Sequence, residues 1–430
     1  WLYVAGGDNG MTSAPLDTVE STAVGGAGPG AAWLLQRNNL SKKRTLAGLV
    51  GLGRYLYLVG GNDGGGAVGT VERAAVLDPA KTPGVADVDI KTGAGKGPGA
   101  GLWFYRIAAI MDMNDADNPG GETLPSPSRM VRVPDVMDKA IVLLGIGKVQ
   151  GATGYRIYRT PTADGVAGKE VLVDTVGDVT SWTDDGTRQP QMGTVPLALG
   201  STGAWTKIAS LKTPREAPAM ALAPDPATSG VFYIYAIGGL DNGMAPAPLA
   251  TYEYLPITVA ADGAHTLGAW TAGKQSFGAA RSQAIAFIAT SDQNPNVKSA
   301  RPLVYLAGGT DGMMAVGPTE SASVGPGGDL GAFMTLNNPL GTYGAAGVAG
   351  ANNLLAAGGL SMGAPSSAIL AGTISNANPP VIGAFTPSMQ TLGAKRYLPG
   401  ATVVGPLLIL AGGADSGPAT ATKSTEWMVY

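Results

Sequence analysis

The sequence predicts an all-β fold, and three observations carry that prediction. An apolar run followed by two glycines and a polar turn occurs six times, with the glycine pairs beginning at residues 6, 60, 238, 308, 358 and 412. Glycine is abundant, at 66 residues, and charged residues make up 14% of the chain, against roughly 25% in ordinary soluble domains. The apolar runs, such as LYLVGG and LILAGG, do not alternate with polar residues, which is typical of strands that are buried on both faces.

Each repeat has the same further landmarks, which together define four short strands. Strand a follows an arginine, strand b ends in the glycine pair, strand c contains a glutamate, and strand d contains an aromatic residue after a small-residue turn. The strand c glutamates are Glu20, Glu72, Glu253, Glu320 and Glu426. The strand d aromatic residues are Trp33, Trp205, Trp270, Phe333 and Phe385. The arginines are Arg44, Arg215, Arg281 and Arg396.

Four-stranded sheets that stack face to face around an axis would bury strand b on both faces, so the repeats predict a β-propeller with six blades. The glycine pair, the arginine before it and the aromatic residue after it make the sequence resemble the kelch-repeat family in its galactose-oxidase-like form. The predicted fold is therefore an all-β, six-bladed, kelch-like β-propeller with an inserted β-sandwich domain. The copper chemistry of galactose oxidase is excluded, because it needs a cysteine and two histidines and the chain has no cysteine and one histidine.

The glycine pair has a predicted structural purpose. Strands a and c lie on either side of strand b, about 9.6 Å apart, so an arginine at the start of a can reach the glutamate on c only across the end of b. Glycine leaves that path free of side chains and permits a positive φ. We therefore predict the structural pairs Arg44–Glu72, Arg215–Glu253, Arg281–Glu320 and Arg396–Glu426. The fifth repeat lacks both residues, as expected of a pair, because a lone buried charge is costly.

The two ends of the repeat array leave one strand d and one strand a unaccounted for. The first repeat begins inside strand b, and the sixth stops after strand c. Roughly 20 to 30 upstream residues, or a partner chain, are expected to supply these two strands, because open sheet edges invite strand addition.

The long step between Gly60 and Gly238 predicts an inserted domain. The segments FYRIAAI, GGETLPS and GYRIYRT resemble a fibronectin type III-like sandwich with its strand order permuted. The predicted domains are the propeller over 1–92, the insertion over 98–192 and the rest of the propeller over 200–430.

Two groups of residues are candidate sites. Asp112, Asn114, Asp115 and Asp117 offer closely spaced oxygen ligands suited to calcium, although the match to an EF-hand loop fails at Pro119 and Ser126. The turns after the glycine pairs offer polar groups for ligand binding beside Met11, Met244, Met313 and Met314, and the same residue types are also what tight turns require. The polar groups are Asp8, Asn9, Asn62, Asp63, Asp241, Asn242, Asp311 and Asp415.

Several functions are excluded or disfavoured by the sequence. A net charge of −3 gives no basic field for nucleic acid, and no apolar stretch is long enough to span a membrane. The G-x-S-x-G match at Ser361 lies in a predicted hairpin, and the one histidine, His265, belongs to another repeat and is expected to be solvated. No catalytic residues and no cofactor other than calcium are predicted.

The sequence favours a non-enzymatic structural or adhesive module, exposed on a cell surface, in the extracellular space or on a virion. It would recognise a protein or a glycan and contact other subunits of a larger assembly. One alternative is a secreted carbohydrate-active enzyme with an unrecognised carboxylate site, and another is a self-assembling filament or coat subunit.

Overall fold

The computed structural model describes residues 1–10, 14–92, 96–135, 141–291, 301–336, 338–349, 353–375, 382–416 and 420–429. These residues form strands, turns and bends, with no helix among them. The chain divides into two compact units. The first contains 1–35, 39–73 and 206–430, and the second contains 36–38 and 74–205.

The first unit begins with two small sheets. Sheet one has the order β1-β2-β5, with a short hairpin of β3 and β4 beside it, and sheet two begins with β6, β7 and β8. The bounds are β1 Leu2–Ala5, β2 Val19–Thr22, β3 Val24–Gly25, β4 Gly28–Pro29, β5 Leu34–Leu35, β6 Gly48–Leu52, β7 Tyr55–Val59 and β8 Val71–Ala75.

In the described part of the second unit, seven strands form two sheets that share one core. Its strands are β9 Val85–Lys91, β10 Gly101–Met111, β11 Arg129–Val133, β12 Ile141–Ile146, β13 Ala152–Arg159, β14 Val171–Gly177 and β15 Ser181–Asp184. One sheet has the order β11-β10-β13-β14 and the other β15-β12-β9. Trp103 and Tyr105 of the first sheet pack with Leu144 and Trp182 of the second. The sandwich includes β9, which begins ahead of residue 98, the start of the predicted insertion.

The first unit resumes with β16, which completes sheet two in the order β16-β8-β7-β6, and continues through four more sheets. Sheet three is β17-β18-β19 with β20 and β21 both paired to β19; sheet four is β22-β23-β24-β25; sheet five is β26-β27-β29 with β28 and β30 paired to β29; and sheet six is β31-β32-β33. The bounds are β16 Thr206–Ile208, β17 Ala219–Pro224, β18 Val231–Ile237, β19 Tyr252–Val259, β20 His265–Leu267, β21 Thr271–Ala272, β22 Ile285–Ala289, β23 Leu303–Ala307, β24 Thr319–Ser323, β25 Met334–Leu336, β26 Ala346–Ala349, β27 Asn353–Ala357, β28 Leu360–Ser361, β29 Ala364–Thr373, β30 Thr386–Arg396, β31 Gly400–Val404, β32 Leu407–Ala411 and β33 Thr425–Val429.

The core of the first unit lies between successive sheets. The strands in the strand a position, β6, β17, β22, β26 and β31, lie against one another in that order. In sheets two to six the strand b residues are mostly buried, as the unbroken apolar runs predict: every residue of β7 and β23 is buried. Leu2 of sheet one packs with Leu407 and Ile409 of sheet six. Sheets three, four and five therefore each bury apolar surface against the next sheet in the sequence, and sheet six does so against sheet one.

Candidate functional site

The most regular feature of the first unit is a buried arginine that joins strands a and c across the end of strand b. In sheet two, Arg44 Nη1 donates hydrogen bonds to the carbonyl oxygens of Gly60 (3.0 Å) and Thr70 (2.9 Å). Its Nη2 donates to the carboxylate of Glu72, and both side chains are fully buried. The backbone N–H of Ser41 donates to the second carboxylate oxygen at 2.7 Å. We call this arrangement the arginine clamp.

The clamp is present in four sheets, with the residue pairs that the sequence predicts. Arg215 and Glu253 are joined at 3.3 Å in sheet three, Arg281 pairs with Glu320 in sheet four, and Arg396 Nη2 lies 2.6 Å from Glu426 in sheet six. Each arginine also donates to the carbonyl oxygen of the first glycine of its pair. A guanidinium that makes bonds to two carbonyls and a carboxylate ties the three inner strands of a sheet together.

Burial disfavours the charged form of three of these arginines, and the paired glutamates favour it. Burial lowers the pKa of Arg44, Arg215 and Arg281, while the attraction of the paired glutamate raises it. A guanidinium is not deprotonated in proteins under ordinary conditions, so these side chains remain charged at neutral pH. The buried glutamate is therefore the compensating charge that the sheet requires.

The glycine pairs meet a requirement in addition to the two that were predicted. The arginine does cross the first glycine of its own sheet, but the closest obstacle to a side chain there belongs to the next sheet. A Cβ on Gly60 would lie 2.5 Å from the carbonyl oxygen of Arg215, and one on Gly238 would lie 2.4 Å from that of Arg281. The φ of Gly60 is +62°, which glycine adopts without strain. The pair therefore both turns the chain and lets adjacent sheets approach closely.

In sheets one to five, the second glycine links its sheet to the next through its backbone. Gly7 N–H donates to the carbonyl oxygen of Arg44 at 2.9 Å, and Gly61 N–H donates to that of Arg215 at 2.8 Å. The equivalent bonds run from Gly239 to Arg281, from Gly309 to Thr342 and from Gly359 to Arg396. The arginine position is therefore the point at which each of these sheets is attached to the preceding one.

Sheet five keeps this backbone link without the charges. Thr342 occupies the arginine position, and its hydroxyl donates to the carbonyl oxygen of Leu360 at 2.7 Å. Leu370, which is opposite Ala356 in the ladder, occupies the glutamate position. Both members of the pair are replaced together, by a neutral and an apolar residue.

The predicted ligand-binding residues lie in the b–c turns, where their side chains mainly close the turns. Asp8, Asn62, Asp241 and Asp311 each accept a hydrogen bond from a backbone N–H two residues ahead. Bonds from the N–H groups of Ala247 and Gly243 lower the pKa of Asp241, and those of Met314 and Met313 lower the pKa of Asp311. The ammonium of Lys42 lowers the pKa of Asp63, and the hydroxyls of Ser416 and Thr420 lower that of Asp415. Asn9 and Asn242 lie in the same turns.

Neighbouring b–c turns contact one another and carry exposed methionines. Pro15 of sheet one lies 3.6 Å from the position of a Cβ on Gly64 of sheet two, and Asn242 of sheet three lies against Gly66. The exposed methionines of these turns are Met244, Met313, Met314 and Met362. Met11 lies outside the described residues. We call the surface formed by these turns the turn rim.

The predicted calcium residues also serve their own loop. Asp112 Oδ1 accepts from the N–H of Asn114 at 2.7 Å, and Asp115 Oδ1 accepts from the N–H of Asp117 at 3.0 Å. Across the described ranges, no group of three or more histidine, aspartate or glutamate side chains is arranged to hold a metal ion.

The second unit contains two buried ionic clusters that the sequence reasoning missed. The Glu122 carboxylate accepts from Arg37 and Arg156, each at 2.7 Å, and from the Tyr158 hydroxyl. Asp184 accepts from Arg159 at 2.5 Å and from the Tyr105 hydroxyl at 2.9 Å. Arg156, Tyr158 and Arg159 all belong to GATGYRIYR. The neighbouring tyrosines and arginines of that segment were the sequence feature that could have predicted these clusters.

The remaining motifs, at Ser361 and His265, do not form a nucleophilic site. Ser361 ends β28 and is followed by Met362 at a φ of +51°, in a hairpin and not at the start of a helix. His265 Nδ1 lies 2.7 Å from the Tyr57 hydroxyl, and its ring stacks on that of Tyr57. His265 is half-buried beside Tyr57 and is therefore not the fully solvated side chain that was expected.

The comparisons with known proteins add no identity. No family model matches the chain, and no curated protein matches it. Within the described ranges, no helix is long and apolar enough to cross a membrane. Any functional proposal therefore depends on the geometry given above.

Proposed function

We propose that the six sheets of the first unit are the blades of a kelch-like propeller and that the second unit is a fibronectin type III-like sandwich. Three observations support the propeller: strands in the a position contact one another in sequence, each second glycine but the last bonds to the next sheet, and sheet six packs against sheet one. The two sheets of four and three strands around one core support the sandwich.

We infer that the protein is a non-enzymatic binding module, exposed on a cell, extracellular or virion assembly, which recognises a protein or a glycan on the turn rim. One observation carries this inference: the rim exposes several methionines beside ordered polar turns. Met244 and Met362 are fully exposed, and Met313 is nearly so. Thioether side chains are flexible and polarizable, and they adapt to a partner's surface at low cost.

The roles of the turn carboxylates sharpen this proposal. Because Asp241 and Asp311 are used to order their turns, the methionines are expected to supply most of the contact area and the outer carboxylate oxygens the polar contacts. Rigid turns that present apolar side chains lose little entropy on binding.

A binding screen with matched variants tests the proposal. Wild-type protein, a Met244→Glu/Met313→Glu variant and a Met389→Glu variant are compared on a glycan array and against candidate host-surface proteins. Met389 is as exposed as Met244 but lies on β30, outside the turn rim. A ligand that binds wild type and Met389→Glu, and binds the rim variant at least tenfold more weakly, supports the proposal. Equal binding by all three, or turnover of a bound glycan, would contradict it.

A second candidate is a self-assembling filament or coat subunit. Among the described residues, β1 has no partner on its outer side and β33 has none beyond β32, and unpaired strand edges are templates for association. Sedimentation at increasing protein concentration tests this candidate, which requires assembly beyond the monomer.

A further inference from the structure

The b–c turn of sheet two differs from the other turns of the rim because glycines stand where those turns have methionines. Gly65 lies four residues after the second glycine of its pair, where sheet four has Met313. Gly66 is the next residue, where sheets three and four have Met244 and Met314. The turn of sheet two therefore contributes no long side chain at these two positions of the turn rim.

A groove of about 410 Å³ lies at this turn, between sheets two and three. Its walls are residues 65–70 together with Lys42, Asp63, Pro214 and Asn242. All of these residues belong to the first unit. The volume lies within the range of small-molecule sites, in which a few polar groups among apolar surfaces fix the ligand.

One wall of the groove carries an ion pair, with its lysine at a position where no other clamped sheet has a basic residue. The Lys42 ammonium pairs with the Asp63 carboxylate, and the two side chains are 46% and 19% exposed. Lys42 lies two residues before the clamp arginine, and the equivalent residues are Thr213, Ala279 and Ala394. The pair is therefore particular to sheet two and accessible, and its two charges cancel within the groove.

Other polar groups of the groove have unused hydrogen-bonding capacity. Asn242 is exposed, and its amide makes no hydrogen bond with any residue that the structure describes. The N–H of Gly66 likewise donates to none of the described residues. Asp63 Oδ1 accepts from the N–H of Gly65 at 2.9 Å, and each carboxylate oxygen can accept a further bond. The groove thus offers donors and acceptors of both charges.

The walls are held in place by contacts within the protein. The hydrogen bond from Gly65 to Asp63 closes the turn of sheet two. Gly66 lies directly against Asn242, since a Cβ on Gly66 would be 2.5 Å from the amide oxygen. A site whose polar groups are already ordered loses little entropy when a ligand binds.

We propose that this groove binds a neutral saccharide residue that has two adjacent free hydroxyl groups. A hydroxyl both donates and accepts, so one hydroxyl of the pair would accept from the Lys42 ammonium while its neighbour donates to the Asp63 carboxylate. Hydrogen bonds to charged groups are the stronger kind. Val68 and Pro214 supply apolar surface for the carbon face of the sugar ring. An acidic sugar fits less well, because Asp63 repels its carboxylate and the only cation of the groove is already paired.

This inference deepens the proposed function and rests on the role of the turn rim as a binding surface. It selects a glycan as the ligand class and gives the position of one sugar residue. The exposed methionines of the neighbouring turns would contact the rest of a longer glycan.

The test measures binding of the methyl glycosides of glucose, galactose and mannose, with methyl glucuronide as the acidic comparison, in saturation-transfer NMR titrations. Wild type is compared with Gly65→Met and Asn242→Ala. Gly65→Met introduces the residue that sheet four has at this position. Its Cβ would have its nearest contact at 3.4 Å and its φ lies outside the left-handed region, so the fold should tolerate it while the groove is filled.

Asp262→Asn is the matched control. Asp262 accepts the N–H of Ala264, two residues ahead, as Asp63 accepts that of Gly65, but it lies in the turn between β19 and β20 and does not line the groove. At least one neutral glycoside should bind wild type and the control saturably and equally. Asn242→Ala should weaken that binding about threefold or more, as expected for the loss of one hydrogen bond, and Gly65→Met should abolish it.

Three results would overturn the proposal: no saturable binding of any neutral glycoside, equal binding by wild type and Gly65→Met, or tighter binding of the glucuronide. Met313→Glu should bind the glycoside as wild type does, because Met313 does not line the groove. A rim ligand that depends on Met244 and Met313, found without glycoside binding, would remove the groove and keep the rim. Glycoside binding that Gly65→Met abolishes, beside a rim ligand indifferent to both methionines, would do the reverse, so the two proposals fail separately.

Discussion

Sheets two and five perform the same task with different chemistry. In sheet two, Arg44 is buried against Glu72 and ties strands a, b and c together. In sheet five, Thr342 and Leu370 stand in the same two positions, and the backbone link to the preceding sheet is unchanged. The link between sheets therefore does not need the charges, whereas a charge placed there needs its partner.

This difference identifies the arginine clamp as a paired device. A buried ion pair can be replaced as a whole at little cost, but removal of one partner leaves an uncompensated charge. Substitutions that remove one partner, crowd the glycine or neutralise the carboxylate should therefore destabilise the protein to different extents.

Removal of the carboxylate from sheet two should have the largest effect. Glu72→Leu introduces the side chain found in sheet five but leaves Arg44 buried without its counter-charge. The free energy of unfolding should fall by about 3–5 kcal/mol, the cost of breaking a buried pair. Urea unfolding followed by circular dichroism measures it, and a loss below about 1 kcal/mol would mean that the pair is unimportant.

The close approach of successive sheets can be tested at two glycines of similar conformation. Gly60→Ala puts a Cβ 2.5 Å from the Arg215 carbonyl oxygen at a φ of +62°, whereas Gly412→Ala has its nearest contact at 3.8 Å at a φ of +67°. Both lose the conformational freedom of glycine, so their difference isolates the collision. Gly60→Ala should cost on the order of 2 kcal/mol more in unfolding experiments, the cost of overpacking. Equal losses would assign the whole requirement to φ.

The loss of stability on neutralising the glutamate should increase with the burial of its carboxylate. Glu426 is 23% exposed, whereas Glu320 is 2% exposed. Glu320→Gln should cost about 2 kcal/mol, the value of a hydrogen bond to a charged group, and Glu426→Gln about half of that. Only the Glu426 effect should shrink in high salt, because exposed charges are screened. Thermal unfolding at low and high ionic strength distinguishes these outcomes from two equal, salt-independent losses.

The smallest effect is expected where the glutamate has no arginine. Glu20→Gln changes an exposed side chain that has no partner among the residues the structure describes, so the free energy of unfolding should change by less than about 0.5 kcal/mol. A loss as large as that of Glu320→Gln would show that Glu20 is already clamped.

Much of the first unit was predictable because its pattern is local and repeated. The glycine pairs, glutamates and arginines mark strand ends, and their spacing places Arg44 and Glu72 on either side of Gly60. The contact of Gly60 with the Arg215 carbonyl could not be predicted, because it joins different repeats and involves backbone atoms that leave no mark on residue type. The Glu122 cluster was missed for a similar reason: Arg37 is far from Glu122 in the sequence, and no repeat links them.

A double-mutant cycle on sheet two tests the central claim, that the arginine clamp acts as one paired unit. Arg44→Thr, Glu72→Leu and the double variant, which reproduces the Thr342 and Leu370 arrangement of sheet five, are unfolded in urea beside wild type. The account predicts that the double variant is more stable than Glu72→Leu alone, with a coupling free energy of at least about 2 kcal/mol. Additive losses, with the double variant the least stable of the four, would contradict it.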